Sequence, residues 1–291
     1  MSELELRQTT VEASADHLPA RPRGRMPRIG TLLSGAFVLF LLAASIAPAL
    51  IATQDPNQIA AADAFQPPSI AHWFGTDESG RDLYSRVVAG TGTSLLIGVT
   101  ATAIGLALGL VLGVLASFGG RVVDFGVNRL VEVLFAFPGL LLALLVIVVY
   151  GPGPVTATIA VGLSTAPGYA RIIRGQLVSI RSSQYVEAAR VLGRAPGRIL
   201  AQHVLPNALI PLFVLATLGI GQAIVWAAAL SYLGLGAQPP AAEWGAMLAA
   251  GRTYLATAWW MTVFPGLMIV GTTIATTVLG RAMTRRGRSG R

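Results

Sequence analysis

The feature that most constrains this chain is a series of long apolar stretches nearly free of charge, at 29–52, 93–118, 130–150, 154–170, 208–236 and 255–280. Lipid offers backbone groups no water to bond. Stretches of about 20 apolar residues therefore cross a bilayer as helices, which satisfy their own N–H and C=O groups. The expectation is an all-α integral membrane protein with six transmembrane helices, and a mean hydropathy of +0.66 agrees. Gly151-Pro152-Gly153-Pro154 separates the third and fourth stretches and predicts a tight helical hairpin there. The 24-residue first stretch exceeds the 7–15 apolar residues usual in a cleaved signal, which favours a retained anchor. Residues 1–28, rich in Arg, Pro, Glu and Ser, are expected to be a disordered tail.

Composition removes several chemistries. There is no Cys, so disulfides, thiolate metal sites and cysteine nucleophiles are excluded. All 21 basic residues are Arg, and without Lys the chain cannot form a Walker-type P-loop. ATP hydrolysis, if it drives this protein, belongs to another subunit. No Asp, Glu, His or Arg lies in the middle of a stretch, which argues against a proton- or sodium-coupled carrier and against an intramembrane hydrolase. Glu132, near one end of the third stretch, is placed to pair with Arg129. His17, His72 and His203 fall in a tail and two loops, so no catalytic, metal or cofactor site is expected.

Arginine also sets the orientation. With six crossings, eighteen Arg fall on the side shared by both termini and three (Arg81, Arg86, Arg252) on the other. The termini are therefore expected in the cytoplasm. The opposite face carries Asp55, Asp63, Asp77, Glu78, Asp82 and Glu243, either to meet a partner or to hold local turns. This asymmetry accounts for the pI of about 10.9, so a nucleic-acid partner is not expected.

Within the second stretch, Ala101, Gly105, Gly109, Gly113 and Ser117 recur every four residues and form a small-residue face. Such a face suits close helix packing in lipid, with a substrate path as the alternative. Pro48, Pro138, Pro167, Pro211 and Pro265 fall in five different stretches and are expected to bend them.

Between the fourth and fifth stretches lies the Arg-rich cytoplasmic segment 171–207. Tyr185, Ala188, Ala189 and Leu192 share one face of a short helix, on which Glu187 can pair with Arg190 or Arg194. Gly193 is a helix stop, Pro196 opens a second short helix, and Pro206 is expected to end it. Physically this is either a basic anchor or a knob that docks a partner.

The order Glu187-Ala188-Ala189, Gly193, then Leu205-Pro206 resembles the EAA loop of bacterial ABC-importer permeases. "FGTDESGRDLYSRVVAG" (74–90), "PGYARIIRGQ" (167–176), "ALSYLGLGAQPP" (229–240) and "EWGAML" (243–248) are similar to the C-type permease of dipeptide, oligopeptide and nickel importers. The resemblance covers about 29–280. It implies a type I ABC-importer permease fold in the bacterial inner membrane, with a transmembrane domain over 92–281 and a basic tail over 282–291. It further implies a heterodimer with a second permease, two ATP-binding cassette subunits and an extracytoplasmic substrate-binding protein. The loop would be the coupling helix that enters the ATPase, with no covalent chemistry in this chain. Three positions depart from the pattern: His203 replaces an aliphatic residue, Ala227 stands where relatives often carry Glu, and the ending is basic rather than acidic. A self-contained carrier or channel, and a structural membrane protein, are the alternatives.

Overall fold

The computed structural model describes residues 28–238 and 240–289; expectations for 1–27 and for 290–291 lie outside the described residues. Among the described residues eleven α-helices follow in order: α1 (Arg28–Ile46), α2 (Pro48–Ile51), α3 (Leu83–Phe118), α4 (Gly120–Phe135), α5 (Gly139–Tyr150), α6 (Pro154–Arg181), α7 (Gln184–Val191), α8 (Pro196–Ile199), α9 (Leu205–Tyr232), α10 (Trp244–Gly251) and α11 (Trp260–Ser289). A π-helical turn, Leu200–Val204, joins α8 to α9. The only β-type pairing among the described residues is an isolated bridge between Thr76 and Asp82.

Long apolar composition explains the main helices. Ile29–Ile46, Leu83–Phe118, Pro211–Tyr232 and Trp260–Met283 are each long and apolar enough to cross a membrane, and the bent pair α4–α5 makes a fifth if counted as one span. The sixth expected crossing, within α6, has 28 residues but is too rich in Gly, Ser, Thr and Arg to meet the same measure. Hydroxyls inside the helices are satisfied locally: Thr102, Ser117 and Thr272 donate to the carbonyls of Gly98, Gly113 and Met268 at 2.7 Å.

The closest helix pair is α3 against α6. Added Cβ atoms at Gly109 and Gly113 would stand 2.9 Å from the Ala170 nitrogen and 2.8 Å from Ile173 Cγ2. One at Gly105 would stand 3.0 Å from the Gly162 carbonyl, and one at Gly162 the same distance from the Ala101 carbonyl. Ser117, the last of this face, accepts from Arg181 Nη1 through its carbonyl at 2.6 Å. Only hydrogen at the glycines lets the backbones meet at this distance, where dispersion rather than water exclusion binds helices in lipid.

Several sequence expectations change. The third stretch is two helices, α4 and α5, turned by 90° at Ala136–Pro138. Pro138 disfavours helical backbone at Phe137 and donates no hydrogen bond, so the first helix stops and a second begins. Residues 120–129, between the second and third stretches, are the start of α4. Helix α3 begins at Leu83, ten residues before its apolar stretch, because its first turns hide Ser85 and Arg86 among loop partners. Helix α6 runs on to Arg181 and α11 to Ser289, so parts of the basic segments are helical. At the other end, α11 starts at Trp260, after a 3-10 turn at Arg252–Tyr254. Pro206 does not end a helix; it sits in the first turn of α9, where its missing N–H costs nothing.

Three apolar clusters stack along the helices. One, beside the 52–82 loop, joins Leu41, Leu83, Val87, Trp244 and Met261. The middle one joins Ile97, Ala143, Ile147, Val161 and Leu230. The third, beside the 184–207 segment, joins Ile173, Leu177, Val186, Val204 and Ala208. Ala227 is buried in the middle cluster, so the place where relatives often carry Glu is filled by apolar contact here.

Candidate functional site

The 184–207 segment is built on the third apolar cluster. Helix α7 begins after Ser183, whose carbonyl accepts from the Glu187 N–H at 3.0 Å. It ends in a Schellman turn: the Gly193 N–H reaches the Arg190 carbonyl at 3.0 Å and the Arg194 N–H the Ala189 carbonyl at 3.2 Å. Gly193 has φ +73°, a conformation that suits glycine. Ala195 then accepts from Arg198 and Ile199, with Pro196 in the first turn of α8.

One face of α7 is fixed. Val186 (1% exposed) and Ala189 (4%) sit against Ile173 and Leu177 of α6 and Ile199, Val204 and Ala208 of the segment leading into α9. The other face is open: Tyr185, Glu187 and Ala188 are exposed, as are Val191 (80%) and Leu192 (77%). The expected stripe Tyr185–Ala188–Ala189–Leu192 is thus divided, because Val186 joins Ala189 on the buried side and the other three face out. Glu187 accepts from Arg190 at 3.0 Å on the exposed side. His203 lies in the π-helical turn and Leu205 opens α9. The segment is one rigid corner joining two long helices, with an apolar, small-residue face held outward.

The opposite end of the molecule is organised differently. Asp82 caps α3, accepting from the Ser85 N–H at 2.8 Å and the Ser85 hydroxyl at 2.7 Å, and lies 3.0 Å from His72 Nδ1. Asp77 holds Arg81 Nε at 2.7 Å and Arg86 Nε at 3.4 Å. Arg86 also donates to the carbonyls of Pro56 and Pro240, so it ties the 52–82 loop to the 233–243 loop. Glu243 caps α10 through the N–H groups of Gly245 and Ala246, both at 2.8 Å. Three of the six outward acids, Asp77, Asp82 and Glu243, are therefore buried structural groups. They do not present an acidic face to a partner.

Glu132, read as a pairing residue, faces Arg129 at 3.4 Å on an exposed surface. Sequence reasoning missed a cavity of about 300 Å³ at the α4–α5 break, lined by residues of α5, α6 and α9. Pro138 marked the break, but nothing local in sequence brings Gln222 and Tyr169 to it. Among the described residues no cluster of metal-ligating side chains occurs.

Comparison with known proteins follows this architecture. Residues 105–289 match the family model of the binding-protein-dependent transport system inner membrane component. The probable D,D-dipeptide transport system permease protein of Escherichia coli (strain K12) is 40% identical over 86% of this chain and 84% of its own length. The dipeptide transport system permease protein of Alkalihalophilus pseudofirmus is 39% identical over 89% of this chain and 84% of its own. Among solved structures, a chain of the MetNI methionine ABC transporter in inward-facing conformations matches with a TM-score of 0.54 and 21% identity. That match covers 68% of this chain and 96% of the other, and it shows the shared fold. The chain thus belongs to the binding-protein-dependent transport system inner membrane components, the non-catalytic membrane permease subunits of ABC importers.

Proposed function

We propose that this permease imports short peptides and that its 184–207 corner is where an ATPase subunit docks. The observation that carries the docking is the divided α7: one face is locked into the third apolar cluster while Ala188, Val191 and Leu192 stand exposed beside paired charges. A small apolar face rimmed by Arg and Glu suits close insertion into a groove with acids and bases on its edge. The peptide assignment rests on the named substrates of the two relatives above.

In this reading the chain crosses the membrane six times, with α6 as the inner crossing, its polarity hidden against α3. Both termini lie in the cytoplasm and 53–91 lies outside. The transmembrane domain spans 92–281, with 1–28 and 282–291 as cytoplasmic tails. The face from Ala101 to Ser117 holds α3 to α6. A second permease completes the pathway, two ATP-binding cassette subunits power it, and a binding protein delivers peptide from outside. Closure of the ATPase pair pulls the corner, and α6 and α9 carry the motion rigidly across the membrane. The two access states then exchange as ligands stabilise one over the other. Family membership sets aside the self-contained carrier or channel.

Gly193→Pro tests the corner, because proline cannot take φ +73°. The expected outcome is normal membrane insertion with loss of ATPase co-purification, and the same for Glu187→Arg, which places like charge beside Arg190. Intact co-purification of both variants would overturn the docking role.

A further inference from the structure

Gln222 is the single side-chain amide in the 22-residue apolar span Pro211–Tyr232 and lies near its middle. It is exposed, and its amide has no hydrogen-bond partner among the described residues. An amide in hydrocarbon without a partner is costly, whereas one facing a watered cavity is not. Gln222 lines the cavity of about 300 Å³ with Trp226, one turn further along α9, and with Tyr169, Ser164 and Thr165 of α6. The Trp226 indole and the Tyr169 phenol are likewise without hydrogen-bond partners among the described residues. Ser164 and Thr165 donate to the Val161 carbonyl at 3.0 Å and keep acceptor capacity.

The same cavity includes the place where α4 turns into α5. Ala136, Phe137 and Pro138 are all exposed there. Irregular backbone at membrane depth persists only where protein buries it or where it lines water. No part of this chain buries the break, which leaves it to water or to the second permease proposed above. The lining contains no acid and no base.

We infer that this cavity is a stretch of the peptide pathway and that Gln222 is its peptide-engaging residue, meeting the uncharged backbone amide of a passing peptide. A primary amide both donates and accepts, which matches the donor and acceptor of a peptide unit. Trp226, Tyr169 and Phe137 offer aromatic surface to side chains of any kind. Without a charge the wall cannot favour one peptide terminus or one ionic side chain over another. A site of this composition passes many short peptides and leaves finer choice to another component. The inference rests on the peptide reading above.

The test uses the complex purified with its partner subunits and binding protein and reconstituted in vesicles, with Ala-Ala, Lys-Ala and Asp-Ala as probes. Gln222→Leu is expected to lower uptake of all three by about tenfold at low concentration, as loss of one buried hydrogen bond implies. ATPase stimulation by loaded binding protein should persist. Gln222→Glu is expected to shift preference toward Lys-Ala over Asp-Ala by about tenfold, an effect that a purely structural residue would not produce. A parent complex that imports none of the probes overturns the peptide reading and this inference with it. A competent parent whose two variants match it in rate and preference overturns the inference alone. So does loss of the second permease from both variants on purification, which would make the cavity a subunit interface. If only Gln222→Leu fails to assemble, the preference of Gln222→Glu decides.

Discussion

The cap formed by the 52–82 loop and the 184–207 corner both join long helices, and both carry paired charges, yet they use them in opposite ways. In the cap, Asp77, Asp82, Arg81 and Arg86 are buried, and each is bonded within the 52–82 loop or to a helix end. In the corner, Glu187 and Arg190 pair in the open beside exposed apolar side chains. Charge in the cap holds the fold. Charge in the corner is available to a partner. On the docking proposed above, functional surface is better recognised by what remains exposed after the charges pair than by the charges themselves.

The strongest way to break this comparison is to empty the cap. Asp82→Ala removes the helix cap of α3 and strips His72 of its partner. Breaking a buried charged group away from its partners costs about 3 kcal/mol, read as a lower denaturation midpoint in detergent and faster proteolysis of 53–82. ATPase association should stay normal. A variant of parental stability would show that the buried network contributes little.

The corner should respond in the reverse sense. Ala188→Arg places a long cation on the exposed face of α7 and touches nothing in the third apolar cluster. Stability should remain within about 0.5 kcal/mol, while ATPase binding weakens by about 2 kcal/mol, roughly thirtyfold. Titration of purified ATPase subunits onto the reconstituted permease measures it. Equal affinity would remove the face from the interface.

Much of this contrast was legible beforehand, and the part that was not has a physical pattern. Ala-rich α7, the turn at Gly193 and the Glu187 pairing follow from spacing and from the left-handed turn that glycine adopts. The small-residue series on α3 was legible as well, since period four marks one helix face. Helix ends were not: Leu83–Gly92 and Arg171–Arg181 look like loops because they are polar, yet tertiary partners satisfy those groups. Nor could sequence show that Val186 faces inward and Leu192 outward, because both are apolar and only the position of α6 separates them. For acids such as Asp77 the sequence admits either a partner contact or a local turn; their cations lie four and nine residues away, and only the fold buries the group.

A finer probe of the cap is the Trp260 indole, which donates to the Thr76 carbonyl at 3.0 Å and joins α11 to the 53–82 loop. Trp260→Phe keeps most of the apolar contact but leaves that buried carbonyl unpaired. The expected loss is about 1 kcal/mol in unfolding free energy, with peptide uptake unchanged. A variant that matches the parent would show that water replaces the bond.

The smallest effect belongs to the corner's own ion pair. Arg190 and Glu187 are three residues apart and more than half exposed, so their attraction is screened by solvent and offset by ordering two long side chains. Arg190→Ala should therefore change unfolding free energy by no more than about 0.5 kcal/mol. Its signature lies in association. A cation on the rim of a docking face speeds encounter with an acidic partner, and salt abolishes that advantage. At low salt the variant should bind ATPase about threefold more slowly than the parent, with dissociation unaltered, and the gap should close as ionic strength rises. A gap that persists at high salt would mean that Arg190 makes a desolvated contact, and the corner would then resemble the cap once its partner is in place.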